Sequence, residues 1–331
     1  MIFVTGGTGF LGKVVVKKLT QMGEKVKLLI RKSSPLDGLE GDPHISFFNG
    51  DLGDKDDIHQ GLEDCIQVIH AAALVKAWDF HKSKFDDVNI KGLKAVAEAS
   101  LEKGIERFCY ISSFVALGPT DGTTANEDTP YPGHLWHNDY ERTKYLANLE
   151  IKGYIKSGLP AVVLYPGVVY GPGRITNGNI IVRLISDFNK GKIPGILGDG
   201  SKRWCYSYVD DVAEGVVSAL KKGKIGEGYV LGGENLSMED FFEVLARLLG
   251  RKKPSFHIPY WLGKIAGFGE ELIAMLSGRE PQNTRGTIEI FKHEWAYGSE
   301  KAKKELDYHC RSLNKGLTLT INWMRENDLL R

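Results

Sequence analysis

An apolar tetrapeptide that runs straight into a glycine-rich turn and then an amphipathic stretch constrains this chain more than any other feature. Met1-Ile2-Phe3-Val4 reads as a buried strand. Thr5-Gly6-Gly7-Thr8-Gly9-Phe10-Leu11-Gly12 turns into a helix with Leu11, Val15, Leu19 and Met22 on one face, and Gly23 stops it. Glycines at 6, 9 and 12 permit a tight turn, close approach of backbone to a pyrophosphate, and close packing of helix on strand. The helix N-terminus supplies free N–H groups and partial positive charge. The spacing is GxxGxxG rather than GxGxxG, so a ligand-free turn is the alternative; the strand–turn–helix setting favours the dinucleotide.

The pattern then repeats. A second strand, Val26 to Ile30, is followed by Arg31 and Lys32. An acid there would hold the ribose hydroxyls of NAD. Two cations suit a ribose 2′-phosphate, or else are solvated charges at a strand end. A third strand, Ile45 to Phe48, ends in Gly50-Asp51-Leu52, where Asp51 either accepts from an adenine amino group or caps the next turn. The fourth, Gln67 to His70, leads into Ala71-Ala72-Ala73, small enough for a flat ligand to lie against backbone; His70 reads as a core histidine. Asn89 falls inside the next helix, where asparagine hydrogen-bonds locally or to a neighbouring strand. A fifth strand, Arg107 to Ile111, ends in Ser112-Ser113, and a polar loop from Gly118 to about Gly133 is expected to face substrate. The sixth, Ala161 to Tyr165, precedes Pro166-Gly167. Such alternation predicts an α/β fold: a Rossmann-type doubly wound parallel sheet with right-handed crossovers and ligands at the strands' carboxyl ends.

Tyr140-Glu141-Arg142-Thr143-Lys144 carries the reactive chemistry. Residues four apart share a helical face. A free phenol, with a pKa of about 10, is a poor proton carrier at neutral pH, and a nearby ammonium favours the phenolate. The spacing alone is weak, because Tyr297 and Lys301 repeat it.

The chain has 331 residues, more than one average domain. We expect a cofactor domain of residues 1–166 plus about 205–232, interleaved with a smaller C-terminal α/β substrate lobe of about 167–204 and 233–331. A net charge of +1 without a basic stripe argues against nucleic acid. Cys65, Cys109, Cys205 and Cys310 lack metal or disulfide spacing, which suits a reducing, cytoplasmic setting and no metal. No run reaches membrane-spanning length, and glycines at residue 6 leave no room for a signal peptide, although a short leader could have been trimmed. The apolar stretch 259–276 either packs onto its own lobe or walls a lipophilic substrate.

The ordered motifs TGGTGFLG at 5–12, DL at 51–52, AAA at 71–73, VN at 88–89, SS at 112–113, YERTK at 140–144, YPG at 165–167 and YVDDVAEG at 208–215 resemble the extended short-chain dehydrogenase/reductases. Within them the chain looks like the dihydroflavonol-reductase-like branch, with plant farnesol dehydrogenases nearest in Ala71–Trp78, Ser112–Asn126 and Tyr165–Ser207. The resemblance implies Ser113, Tyr140, Lys144 and Asn89 as catalytic residues, Asn89 holding a relay water. It implies a cofactor site of Thr5 to Gly12, Arg31, Lys32, Asp51, Leu52, Ala71 to Ala73, Tyr140, Lys144, Pro166, Gly167 and Val168. Arg31 argues for NADP; the farnesol dehydrogenases are NAD-linked. Val75, Trp78, Ser113, Phe114, Tyr140, Val168 and Val169 are expected around the substrate, since they follow strand ends. All but Ser113 and Tyr140 are apolar, which favours a prenyl alcohol or aldehyde over a polyhydroxylated flavonoid ketone. A sugar-nucleotide epimerase or dehydratase and a redox-sensing binding protein remain alternatives on this fold. Monomer or homodimer is expected.

Overall fold

Side chains along β1 (Ile2–Thr5) alternate between two cores, and the rest of the sheet follows that lead. The computed structural model describes residues 1–133, 136–281 and 283–330. Its main sheet adds β2 (Val26–Ile30), β3 (Ile45–Asn49), β4 (Gln67–His70), β5 (Arg107–Ile111) and β6 (Ala161–Pro166). Three further strands, β7 (Val168–Tyr170), β8 (Ile196–Leu197) and β9 (Arg203–Tyr208), precede β10 (Gly228–Leu231), which returns to the main sheet; β11 (Glu234–Ser237) and β12 (His257–Ile258) follow. The seven-stranded order is β10-β6-β5-β4-β1-β2-β3, parallel throughout.

Early helices are α1 (Phe10–Gln21), α2 (Lys55–Gly61), α3 (Ser83–Asp86), α4 (Gly92–Glu102) and α5 (Asp139–Lys156). Later ones are α6 (Ile180–Asn189), α7 (Val209–Lys222), α8 (Met238–Leu249), α9 (Tyr260–Ser277), α10 (Arg285–Phe291), α11 (Glu300–Leu306) and α12 (Leu313–Glu326). Phe3, Val68, Phe108 and Val163 pack with Val96, Ala147 and Ile151 of α4 and α5. Ile2, Val4, Ile69, Cys109 and Val162 pack with Val15 and Leu19 of α1 and Val212 and Val216 of α7. Both faces are covered, which is why the strands read as continuous apolar runs.

The second lobe holds a small sheet, β11-β9-β7, that the sequence did not announce. β9 runs in it, while α7 immediately after lies on α1, so residues 203–232 leave one layer and return to the other. Ser237 caps α8 in a full capping box with Asp240. All four cysteines are free thiols.

Candidate active site

The sheet order reverses between β1 and β4, and this opens a crevice at their carboxyl ends. Gly6 lies there at φ 71°, and a Cβ on it would come within 2.5 Å of the Ala72 nitrogen. A Cβ on Gly12 would lie 2.1 Å from the Gly6 carbonyl oxygen. The turn is thus closed on its inner side to any side chain. On Gly9 the added carbon would meet only the Gly6 oxygen, at 3.2 Å. That position begins α1, which has no side-chain cap and no acid in its first turn. By contrast α2, α5 and α8 are capped by Asp54, Asn138 and Ser237. The bare N-terminus with its glycine cradle fits the pyrophosphate of a dinucleotide.

Of the other expected cofactor residues, Thr5, Ala71, Ala72 and Ala73 line the same crevice edge. Thr5 Oγ1 is 2.8 Å from His70 Nδ1, and the Ala72 N–H donates to it at 3.4 Å. His70 is buried, and burial, with the Lys144 charge second, pushes its pKa down to about 3, as suits a neutral core histidine. Gly7 and Leu11 pack inward, and Phe10 faces Gly173 of the second lobe. Arg31 and Lys32 are exposed and make no ion pair among the described residues. Asp51 accepts from the Gly53 N–H at 2.8 Å and so caps its own turn. Leu52 is a packing residue: a Cβ on Gly92 would reach its Cδ2 at 2.5 Å. Gly167 is squeezed against β9, where a Cβ would lie 2.4 Å from the Cys205 oxygen.

Each residue of 140–144 has its own partner. Asn138 Oδ1 accepts from the Glu141 N–H at 2.8 Å and starts α5. Tyr140, half-buried, lies near the buried Ser113 side chain at the exit of β5, and that hydroxyl favours its charged form. Glu141 is fully buried and accepts from the His137 N–H at 2.9 Å, with that imidazole Nδ1 at 2.8 Å. Arg142 makes a two-pronged contact to Asp86 of α3, at 2.8 and 2.7 Å. Thr143 Oγ1 accepts from Asn89 Nδ2 at 2.9 Å. Lys144 is buried and donates to the Ile111 carbonyl at 3.2 Å, with the Tyr110 ring 5.4 Å away. The expectation of a cation drawing the phenol down is not met. Burial pushes Tyr140 up to about 12, opposed only by the Ser113 hydroxyl. Burial also lowers Lys144 to about 7. Both charged forms are penalised by the same enclosure.

Asn89 sits in a π-helical turn, Asp87–Lys91, and its amide is already employed. Oδ1 accepts from the Leu74 N–H at 2.7 Å, and Nδ2 donates to Leu74 O and to Thr143. It ties the exit of β4 to α5: the bonds to Leu74 match the strand contact expected of a helical asparagine, and the bond to Thr143 of α5 was not foreseen. The missed signal was Thr143, one residue before the lysine.

The expected substrate residues divide. Val75 and Trp78 are half-buried on the loop after β4, and Trp78 lies edge-on to exposed Phe80 at 4.5 Å. Phe114 does not join them. It is locked edge-on among Trp204, Trp295 and Tyr297, because the 3-10 turn Phe114–Leu117 carries the ring inward. Val168 and Val169 pack toward opposite cores, as neighbours on a strand must, so they cannot share one wall. Residues 134 and 135 of the covering loop lie outside the described residues. No cluster suited to a metal ion is found among the described residues.

Residues 2–232 match the model of the NAD dependent epimerase/dehydratase family. The chain therefore belongs to that family, as an extended short-chain dehydrogenase/reductase of the dihydroflavonol-reductase-like branch. It is 30% identical to a candidate dihydroflavonol 4-reductase of Synechocystis sp. (strain ATCC 27184 / PCC 6803 / Kazusa), over 99% of this chain and 96% of that one. It is 28% identical to sterol demethylase protein B of Methylococcus capsulatus (strain ATCC 33009 / NCIMB 11132 / Bath), over 99% of each. The crystal structure of gox2253 superposes with a TM-score of 0.84 at 31% identity, covering 100% of this chain and 99% of that one.

Proposed function

We propose that this protein is an NAD(P)-dependent oxidoreductase acting on a carbinol or carbonyl carbon of a lipophilic small molecule, a prenyl alcohol or aldehyde such as farnesol or farnesal. The observation that carries the reading is the gathering of Tyr140, Ser113 and buried Lys144 at the strand exits next to the glycine cradle. A bound nicotinamide supplies hydride transfer at its C4. Tyr140 gives its phenolic proton to the carbonyl oxygen during reduction, or takes the alcohol proton during oxidation. Ser113 holds the substrate oxygen and stabilises charge on it. Lys144 orients the nicotinamide ribose. Burial holds Tyr140 protonated at neutral pH, the form that donates to a carbonyl oxygen.

Arg31 and Lys32, free of carboxylate partners among the described residues, favour NADP over NAD. One charge-assisted contact to the 2′-phosphate is worth about 1.5–3 kcal/mol, or one to two decades. The apolar Val75 and Trp78, and a relative named for sterol demethylation, support a lipophilic substrate. An isoprenoid has no hydroxyls to satisfy, whereas each unpaired flavonoid hydroxyl costs about 1–3 kcal/mol. The relative named for dihydroflavonol reduction favours the second reading, a flavonoid-type ketone. A panel of both substrate sets with both cofactors, followed by nicotinamide absorbance, decides. Faster turnover of a dihydroflavonol than of any prenyl substrate overturns the first reading, and equal rates with NAD overturn the NADP preference. NAD that survives dialysis points instead to an epimerase.

A further inference from the structure

Helix α9 is built the wrong way round for a surface helix. Its three charged residues all serve the inner side. Lys264 pairs with Glu289, Glu270 accepts from Asn283 at 2.8 Å, and Glu271 accepts from Arg285 at 2.8 and 2.9 Å. Gly263, Gly267 and Ala274 are small enough to let α9 lie close on its neighbours; a Cβ on Gly267 would come within 2.9 Å of the Thr284 backbone. These ties fix which way the helix faces. At about 100° per residue, Trp261, Ile265, Leu272 and Leu276 fall on the opposite side, while Phe268 lies at its edge under the Arg285 guanidinium, 4.9 Å away. Trp261 is 64%, Ile265 60% and Leu276 90% exposed. The outer arc carries no charge along the whole helix.

Basic groups flank α9 along the chain. Arg251 and Lys252 precede it, Arg279 follows it, and Lys82 lies on the loop that Lys76 joins to Glu280 at the helix end. None of these four makes an ion pair among the described residues, and three of them stand in the segments that lead into and out of α9. We propose that the outer face of α9 docks on an anionic lipid bilayer. The protein lies on that surface rather than in it, since no described helix is long and apolar enough to cross a membrane. The charges argue against a second copy as the occupant. In an isologous pair, antiparallel helices set Arg251 and Lys252 against the partner helix's Arg279 end, and parallel helices set them against themselves. Both bring like charges together, whereas an anionic surface neutralises them. The site also stands near the cleft: α10, under α9, brings Gly286 against the His137 backbone, three residues before Tyr140. The proposal goes beyond the substrate reading and stands whichever substrate that panel selects.

Sedimentation of the full chain with vesicles tests it. At low salt the protein should pellet with phosphatidylcholine vesicles containing phosphatidylglycerol, and at least tenfold less with phosphatidylcholine alone. Ile265→Glu with Leu272→Glu should abolish pelleting while thermal melting and turnover stay as in the parent, because both side chains are solvent-exposed. Arg251→Gln with Lys252→Gln should weaken it about fivefold per charge. No pelleting with anionic vesicles overturns the proposal, as does unaltered pelleting of the Ile265/Leu272 variant. A dimer that this variant dissociates, with no vesicle binding by the parent, assigns the face to a second copy instead.

Discussion

Tyr140 and Lys144 lie four residues apart on α5, and Tyr297 and Lys301 lie four apart across the start of α11. In the first pair both residues belong to one helix, whose cap precedes the tyrosine. In the second, α11 begins at Glu300, after the tyrosine, so no common helical face exists. Tyr140 is half-buried at the strand exits, near Ser113. Tyr297 is buried and donates to the Gly118 carbonyl within the aromatic cluster. The lysines differ most. Lys144 has no carboxylate partner among the described residues, and burial lowers it to about 7. Lys301 also feels burial, but Glu227 at 2.6 Å outweighs it and raises its pKa. Spacing therefore marks a candidate catalytic pair only when one helix carries both residues and the lysine lacks a counter-charge.

The largest expected effect tests that contrast directly. Tyr140→Phe removes the proton carrier and keeps the ring, so turnover should fall by about 100-fold or more with cofactor affinity little changed. The same change at Tyr297 should leave turnover within a factor of about two. Near-normal turnover of the Tyr140 variant would break the comparison at its root.

Lys144 offers a second test, in stability. Its folded pKa, about 7, lies below the ordinary lysine value of 10.5. Between those values the unfolded chain binds a proton that the folded chain does not. Stability of the cofactor-free protein should therefore rise with pH across that window, by about 1.4 kcal/mol per unit, and be flat with respect to this group below it. Lys144→Met removes the titration. The variant's stability minus the parent's, from urea melts at a series of pH values, should fall from pH 7 toward pH 10, narrowing any lead of the variant or deepening any deficit. A constant difference would mean that Lys144 keeps its charge in the fold. Lys301→Met should show no such fall, because its partner holds the ammonium charged.

Much of this contrast was legible beforehand. The β1–turn–α1 unit announces itself because glycine spacing and apolar period agree, and the helical setting of Tyr140 follows from the motifs on either side. Glu141 was not legible as a buried residue, since a charge in a helix reads as solvated until His137 is placed beside it. The small sheet β11-β9-β7 hid because strands of three to six residues leave too few alternations to register a period. Val168 and Val169 could not be assigned a face without that sheet. The apolar stretch 259–276 reads from sequence as packing onto its own lobe or walling a substrate, yet much of α9 is exposed, because apolar composition does not report whether protein covers a face.

The smallest effect belongs to Tyr297 itself. Its hydroxyl closes the carbonyl of Gly118, whose φ of 94° starts the loop leading to α5. The backbone on either side of Tyr297 also bridges that loop at Ala125, so side chain and backbone hold it at two separate points. Removing the hydroxyl leaves a buried acceptor without its partner, which costs about 1–3 kcal/mol. For a chain of this size the melting temperature should drop by a few degrees. Turnover should stay intact, because the ring still fills the space against Phe114. Calorimetry and a rate assay on one preparation separate the outcomes. A drop in turnover with unchanged melting would show that the second pair takes part in the chemistry after all, by way of the loop over Tyr140.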